Sequence, residues 1–433
     1  MRVVIGAGAD GLRAAAALAA TGAPVLLLQE ADTPHGLSHP EIPEGTGRMW
    51  IDSSIRDAAE AAVGPMVDAP MVQRAIARNG GIHSLPLSPL AVPNLFSSNQ
   101  LLGVGRNFLE RRLRNGLIPL TGEGQEERTY REWVIRRMGE PAYQHFYAPY
   151  ARRRWGLDGG ALSVAVARQH HNPHMGTLEV VPGGGPCSAF EHAVAVIEAN
   201  GGEVRCGAKV RSLKVVDGKV VAARVGRRNI EIEGPVWVAR PHAVTAGWLG
   251  DALDTGLRTD ASKLHRQDRV QVAFEVDQTG MADEIHLLDE GDLAWRITQV
   301  YGNTCTAVFH CTVPTDAPDP SAEDLARRAH SLGWEGADPL AAKVERIRDW
   351  VPMWAPLVYT RLRRLSLAWS RLGVVAVGRR GTFSSVDAGG ELALAIRYGG
   401  DVDPDQGEAM RVLLDPPVVD QDLNASFRDF IWA

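Results

Sequence analysis

Three glycines stand where a chain can offer bare backbone to an anion. Gly6, Gly8 and Gly11 hold the GxGxxG spacing in Gly6-Ala7-Gly8-Ala9-Asp10-Gly11, behind an apolar run at residues 2–5 and ahead of an alanine-rich stretch. Between a strand and a helix, such a loop aims N–H groups and a helix N-terminus at a pyrophosphate. Glu30 lies 19 residues beyond Gly11, at the end of a second apolar run, 25–28. There a carboxylate can accept both hydrogen bonds of an adenosine ribose diol. Loop and glutamate together predict a dinucleotide site; the alternative is a glycine turn with an unrelated surface glutamate. Asp10 is unusual in the loop, because a carboxylate beside a pyrophosphate repels it. Its side chain is expected to turn away and interact with the helix N-terminus.

Other polar groups cluster further along. His170, His171 and His174 surround Asn172-Pro173, and imidazoles can ligate metal, exchange protons or bind an anion. Adjacent histidines on one strand point to opposite faces, so His170 and His171 would not share a ligand set and no metal is expected. A solvated loop and a substrate-side acid/base role for His170 both stay open. Cys187 is expected to be a small buried thiol, not a nucleophile. The run Arg152-Arg153-Arg154 is expected on a solvated helix face, with one arginine beside Trp155 available to an anionic substrate. Arg379 is a candidate contact to a cofactor or an anionic substrate, and Asp387 a candidate helix cap; a simple turn with its ion pair is the alternative.

Certain elements must position these groups. The glycine loop feeds a helix over 12–21 and then the strand 25–28, a complete βαβ start. Residues 32–120 alternate short apolar pieces with Pro, Gly, Ser and Asn, and suggest excursions around a pocket. Helices are expected over 129–139 and 141–155, where Trp133, Tyr143, Phe146, Tyr147, Tyr150 and Trp155 crowd together as core residues commonly do. After Pro182-Gly183-Gly184-Gly185 come a helix over 188–198, a stop at Asn200-Gly201-Gly202, a strand at 203–205 and a hairpin. The hairpin strands, 210–216 and 219–225, flank Asp217-Gly218, a strong short-range turn signal. Residues 269–313 alternate and predict a second antiparallel sheet. A buried strand at 372–377, a turn at Gly378-Arg379-Arg380-Gly381 and a helix over 388–398 entered through Gly389-Gly390 follow.

The 433 residues, 45% hydrophobic and 23% charged, suffice for two packed domains. A net charge of -6 supplies no basic field for nucleic acid or anionic lipid. Cys187, Cys206, Cys305 and Cys311 show neither CxxC pairing nor zinc-site spacing, which fits a reducing cytoplasm. No apolar run approaches the roughly 20 residues of a membrane span, so a soluble, untargeted protein is expected, with a small molecule as its substrate. A homodimer is compatible with a sequence that carries nothing to fix an oligomeric state.

From the glycine loop to Glu30, through 182–185 with its helix and the hairpin opening at Val210, the sequence resembles the flavoprotein family of amine oxidases, protoporphyrinogen oxidases, phytoene desaturases and UDP-galactopyranose mutases. Tyr147 to Gly156 running into Leu162-Ser163 is similar to the "Y-x-x-K-x-W-G … L-S" block of the branch nearest the mutases. Val377 to Asp387 is similar to that branch's "G-R-x-G-x-F-x-Y-x-x-x-D" approach to the flavin. The resemblance is discontinuous but reaches across nearly the whole chain.

It implies FAD as cofactor, on an α/β fold: a Rossmann-type FAD-binding domain of the glutathione-reductase type, with an interleaved α+β substrate domain. The first would comprise 1–60, 178–250 and 370–433, the second 61–177 and 251–369, with the active site between them. Cofactor contacts would come from Gly6, Gly8, Gly11, Glu30, Gly36, Val210 (whose backbone would pair with the adenine edge), Gly378, Asp387, Gly389 and Gly390. Bare N–H groups at Gly389 and Gly390 can approach the flavin's pyrimidine edge, where negative charge gathers on reduction. Arg379, His170 and Trp155 are the candidate catalytic residues. The implied activity is oxidation of a small-molecule C–N or C–C bond by FAD, of a kind suited to bacterial specialised metabolism. The alternatives are a mutase-like, non-redox reaction on reduced flavin and a degenerate, noncatalytic flavin binder. Two departures bear on these: where the family closes a Gly-Gly pair and a basic residue over the pyrophosphate, this chain has Pro34-His35-Gly36-Leu37-Ser38-His39, and His170 stands where the mutases carry a diphosphate-binding arginine.

Overall fold

The computed structural model describes residues 1–6, 8–39, 49–69, 73–85, 95, 102–103, 106, 127–171, 177–277, 282–289, 291–301, 305–355, 357–383, 392 and 395–396. The chain divides into two units. Unit 1 comprises Met1–Pro70, His174–Arg266 and Leu357–Pro416; unit 2 comprises Met71–Pro173, Gln267–Pro356 and Pro417–Ala433.

Unit 1 is built on five parallel strands in the order Val374–Ala376, Val236–Val238, β1 (Arg2–Gly6), β2 (Val25–Gln29) and Glu203–Arg205. Helices cover such a sheet on both faces, which is why β1 and β2 are apolar without alternation; all five residues of β2 are buried. Helix α1 (Ala9–Ala19) joins the two strands and begins three residues earlier than the apolar pattern suggests. Its first turn is the end of the glycine loop itself, where the Gly8 carbonyl accepts the Leu12 N–H at 3.3 Å. Alanines at 14–17 and 19 leave α1 buried nearly all round, in close packing with the helices Arg56–Val63 and Gly185–Ala199. The hairpin forms as expected, with Asp217 and Gly218 at φ 48° and 73°, the two left-handed positions of a type I′ turn.

Two local differences appear near the C-terminal end of unit 1. The expected turn at 378–381 is a single helical turn, Gly378–Thr382, fastened by Thr382 Oγ1 donating to the Gly378 carbonyl at 2.8 Å. The helix Val358–Leu372 was not among the expected elements; Val358, Leu362, Leu365, Trp369 and Leu372 form its buried stripe. Asp387, Gly389 and Gly390 lie outside the described residues, and of the helix expected over 388–398 only Leu392, Ala395 and Ile396 are described, as helical.

Unit 2 carries a seven-stranded sheet in the order Lys343–Pro352, Arg266–Val276, Cys305–Val313, Arg296–Tyr301, Glu284–Leu287, Arg74–Arg78, Gly81–Ser84. The alternating region 269–313 supplies its antiparallel centre. One face is apolar: Val270, Val272, Phe274, Ile297 and Phe309 pack under Leu325, Ala326 and Ala329 of the helix Ala322–Ser331 and under Trp334. The other face is polar and still buried. Among the described residues no helix is long and apolar enough to cross a membrane.

Candidate functional site

The glycine loop is shaped by contacts that leave no room for a side chain. A Cβ at Gly11 would lie 2.4 Å from Gly6 Cα, and one at Gly6 would lie 2.9 Å from Leu27 Cδ1. Since real Cβ atoms essentially never come within 3.0 Å of such a neighbour, these two glycines allow α1 to approach β1 and β2 closely. Gly8 has a different reason. Its φ of +74° is left-handed, and a Cβ there would meet the His35 carbonyl oxygen at 3.1 Å and Arg380 Nη1 at 3.6 Å.

Gly36 belongs to the same cradle. At φ +65° its Cβ would lie 3.0 Å from Gly8 Cα and 3.3 Å from Gly8 N, so the turn 33–36 rests directly on the loop. Gln29, buried at the end of β2, holds that turn by donating from Nε2 to the Pro34 carbonyl at 3.0 Å. The Gly36 N–H in turn donates to Thr33 Oγ1 at 3.1 Å. His35 stacks on Phe190 of the helix Gly185–Ala199 with ring centroids 5.2 Å apart, and its partial burial pushes its pKa down. A cradle made of four glycines, each of which a Cβ would fill or distort, fits a pyrophosphate group.

Glu30 follows β2 and is gripped from both sides. Lys209 Nζ lies 2.5 Å from Oε1, and Arg240 forms an ion pair with Oε2. The Lys209 hydrogen bond, reinforced by Arg240 against the upward effect of burial, holds the carboxyl below the usual carboxylate range. The connection leading to Lys209 is bound to the same strand end: the Ala208 N–H donates to the Gln29 carbonyl at 2.8 Å and the Gly207 N–H to the Ala31 carbonyl at 3.0 Å. Val210, one residue on, is buried at the start of its strand and faces Val225. Lys209, Arg240 and Gln29 are functional candidates that sequence reasoning missed. Lys209 adjoins Val210 and Arg240 ends an apolar strand run, the only local signals for either.

Asp10 turns away from the loop opening, toward the single helical turn at 378–382. Gly378, at φ +68°, is so close that a Cβ there would sit 2.6 Å from Asp10 Cβ. The Arg380 N–H donates to Asp10 Oδ2 at 3.5 Å. Asp10 is 1% exposed, and its Oδ1 has no hydrogen-bond partner among the described residues. The turn's carbonyl end is held by Arg266, whose Nη2 donates to the carbonyls of Arg379 and Arg380 at 2.9 and 2.8 Å. Gly6, Gly8, Gly11, Gly36 and Gly378 are therefore brought together in unit 1, with Arg379 on the same turn as Gly378.

Trp155 and His170 belong to unit 2. Trp155 is 3% exposed and packs against Tyr130 and Tyr150 at centroid distances of 5.4 and 5.8 Å. The arginine run before it is not a solvated face. Arg153 donates to the Leu287 and Asp289 carbonyls, and Arg154 lies over Tyr150, Trp155 and Trp295. The helix Ala148–Trp155 lies against the strand Cys305–Val313, and two of the three arginines are drawn into that packing; only Arg152 is exposed. His170 and His171 end a helix, Val164–His171, and are not on a strand. The Ser163 hydroxyl accepts the Ala165 N–H at 3.3 Å at its start, and adjacent residues are then about 100° apart around an axis, not on opposite faces. His174 lies outside the described residues.

On the polar face of the unit 2 sheet, Gln271, His310, Arg296 and His286 stand side by side across four strands. Thr298 Oγ1 and Arg269 Nη2 flank the His310 ring at 2.7 and 2.5 Å. Burial, assisted by Arg269, pushes the His310 pKa well down, so the ring is neutral. Burial acts to raise Glu284, yet Arg296 at 2.9 Å, His286 at 3.2 Å and Arg74 at 3.6 Å hold it well below the usual range. Such a row can orient a polar molecule and exclude water; it contains no obvious nucleophile.

No family model and no curated protein matches the sequence. Solved structures do match. A reduced UDP-galactopyranose mutase superposes with a TM-score of 0.70 at 14% identity, over 96% of this chain and 96% of its own. A proposed protoporphyrinogen oxidase from Exiguobacterium sp. 255-15 gives 0.67 at 14% identity, over 92% and 98%. Cyclohexylamine oxidase from Brevibacterium oxydans IH-35A gives 0.64 at 15% identity, over 94% and 99%. This chain has their fold: a Rossmann-type α/β unit with a second, mixed unit.

Proposed function

We propose that this chain is an FAD-dependent oxidoreductase that dehydrogenates a C–N or C–C bond of a small molecule. The observation that carries the reading is the cradle in which Gly36 backs onto Gly8 behind the Gly6 to Gly11 loop, with Glu30 on the adjoining strand end. In this reading the N–H groups of the loop and of the first turn of α1 bind the pyrophosphate. Glu30, kept ionised by Lys209 and Arg240, accepts the ribose hydroxyls. Val210, Gly378, Asp387, Gly389 and Gly390 serve as the remaining cofactor contacts. Bound FAD supplies a hydride acceptor at N5, while the protein supplies orientation and dryness. Unit 2 serves as the substrate-binding unit, with its buried polar row orienting the molecule; Arg379, His170 and Trp155 are the residues assigned to the reacting region.

A non-redox rearrangement on reduced flavin is the second reading. The similarity of the Trp155 and Arg379 blocks to the mutases supports it. The visible spectrum of the purified protein tests both, since each requires the twin flavin bands. A colourless protein that stays empty with added FAD overturns both. Anaerobic mixing separates them: bleaching by an amine or an alkene precursor supports oxidation, and turnover only after dithionite supports rearrangement.

A further inference from the structure

The carboxylate at Asp10, unusual in a phosphate loop, and the missing basic residue after Glu30 meet at one place in unit 1. Gly378 has no side chain where Asp10 lies, and its left-handed backbone lets the 378–382 turn settle against the first turn of α1. On the other side of that turn, a Cβ at Gly381 would strike the Val238 carbonyl oxygen at 2.5 Å. Arg266 fixes its far end through the carbonyls of residues 379 and 380 and lies 4.6 Å over the Phe383 ring, whose residue holds a left-handed φ of 56°. The Arg380 guanidinium comes to Gly8, with Nη1 3.6 Å from the position of a Gly8 Cβ.

We propose that Arg380 is the cation of the phosphate-binding loop, supplied from the opposite end of the chain in place of the basic residue absent from 34–39, and that Asp10 positions it. A guanidinium beside a left-handed glycine whose neighbouring N–H groups face an anion can bind a diphosphate with charge-assisted hydrogen bonds. Asp10 accepts the Arg380 backbone N–H at 3.5 Å, so its carboxylate fastens the turn that carries the arginine. The ligand class is a nucleoside diphosphate moiety, and the inference rests on the flavin reading above.

Calorimetric titration of the full chain freed of cofactor, with ADP, adenosine and FAD as ligands, tests it. Arg380→Met is expected to weaken ADP and FAD about 10- to 100-fold while leaving adenosine within twofold, and Arg380→Lys to recover part of the loss. The wild-type affinity for ADP should fall with added salt more steeply than that of Arg380→Met. Retained adenosine binding in Arg380→Met reports an intact fold. Equal ADP affinities in wild type and Arg380→Met overturn this inference alone. A wild type that binds neither ADP nor FAD overturns it together with the flavin reading.

Discussion

Replacing Gly36 with alanine separates backbone strain from damage to the cradle, because the chain contains a matched control. Gly22 has φ +86° and Gly36 φ +65°, but a Cβ at Gly22 meets nothing within 4 Å, whereas one at Gly36 lies 3.0 Å from Gly8 Cα. The left-handed backbone costs an alanine about 1–2 kcal/mol at either site. At Gly36 alone the methyl also meets main chain. The turn or the loop must therefore give by a few tenths of an ångström, on the order of the ~0.5 Å tolerance of a preorganised site. Both variants should therefore lose about 1–2 kcal/mol in urea unfolding, with a further loss for Gly36→Ala. Flavin affinity, read by fluorescence quenching as FAD is titrated, should fall about tenfold or more in Gly36→Ala, some 1.4 kcal/mol, and stay unchanged in Gly22→Ala. Equal flavin affinity in the two variants would refute the claim that the turn sets the height of the loop.

Two further outcomes follow from buried or ion-paired titrating groups. His242 is buried, accepts the Trp369 indole N–H at 2.8 Å, and is pushed down to about 3, first by burial and then by Arg266. The folded protein holds it neutral while the unfolded chain protonates below about 6.5, so its contribution is complete above that pH and is lost as pH falls toward 3. The loss should reach about 2 kcal/mol at pH 5, and urea unfolding of His242→Gln should show a shallower acid slope than the wild type; superimposable slopes would contradict the neutral assignment. At Glu30 the depressed pKa acts in the same direction, in a lower pH window: the stabilisation from the Lys209 and Arg240 pairs is complete above the ordinary carboxylate pKa and is lost as pH falls through the lower folded value. Glu30→Gln should weaken adenosine binding about tenfold at pH 7, and an unchanged calorimetric affinity would remove Glu30 from the ribose site.

The elements that local spacing can specify were legible from residues alone. Gly6, Gly8 and Gly11 between two apolar runs imply a strand, a tight loop and a helix, because each requirement is met within a dozen residues. Asp217-Gly218 implies its hairpin in the same way, since both left-handed positions are adjacent, and the period of two over 269–313 marks a sheet. Alanine-rich α1 was legible as a helix, but its near-complete burial was not, since methyl side chains carry no amphipathic stripe. The placement of Arg153 and Arg154 inside unit 2 was equally hidden, for an arginine run has the same pattern on a solvated face as beneath a sheet.

Only the tertiary structure brings Lys209 and Arg240 to Glu30, stands Gly36 on Gly8, and joins Asp10 to a turn 370 positions away. Such pairings leave no period in the chain, because they depend on which strands become neighbours in a parallel sheet. In unit 1 the strand at 236–238 lies beside β1 and the strand at 374–376 lies beside 236–238 in turn, and that order carries Arg240 to Glu30 and Arg380 to Gly8.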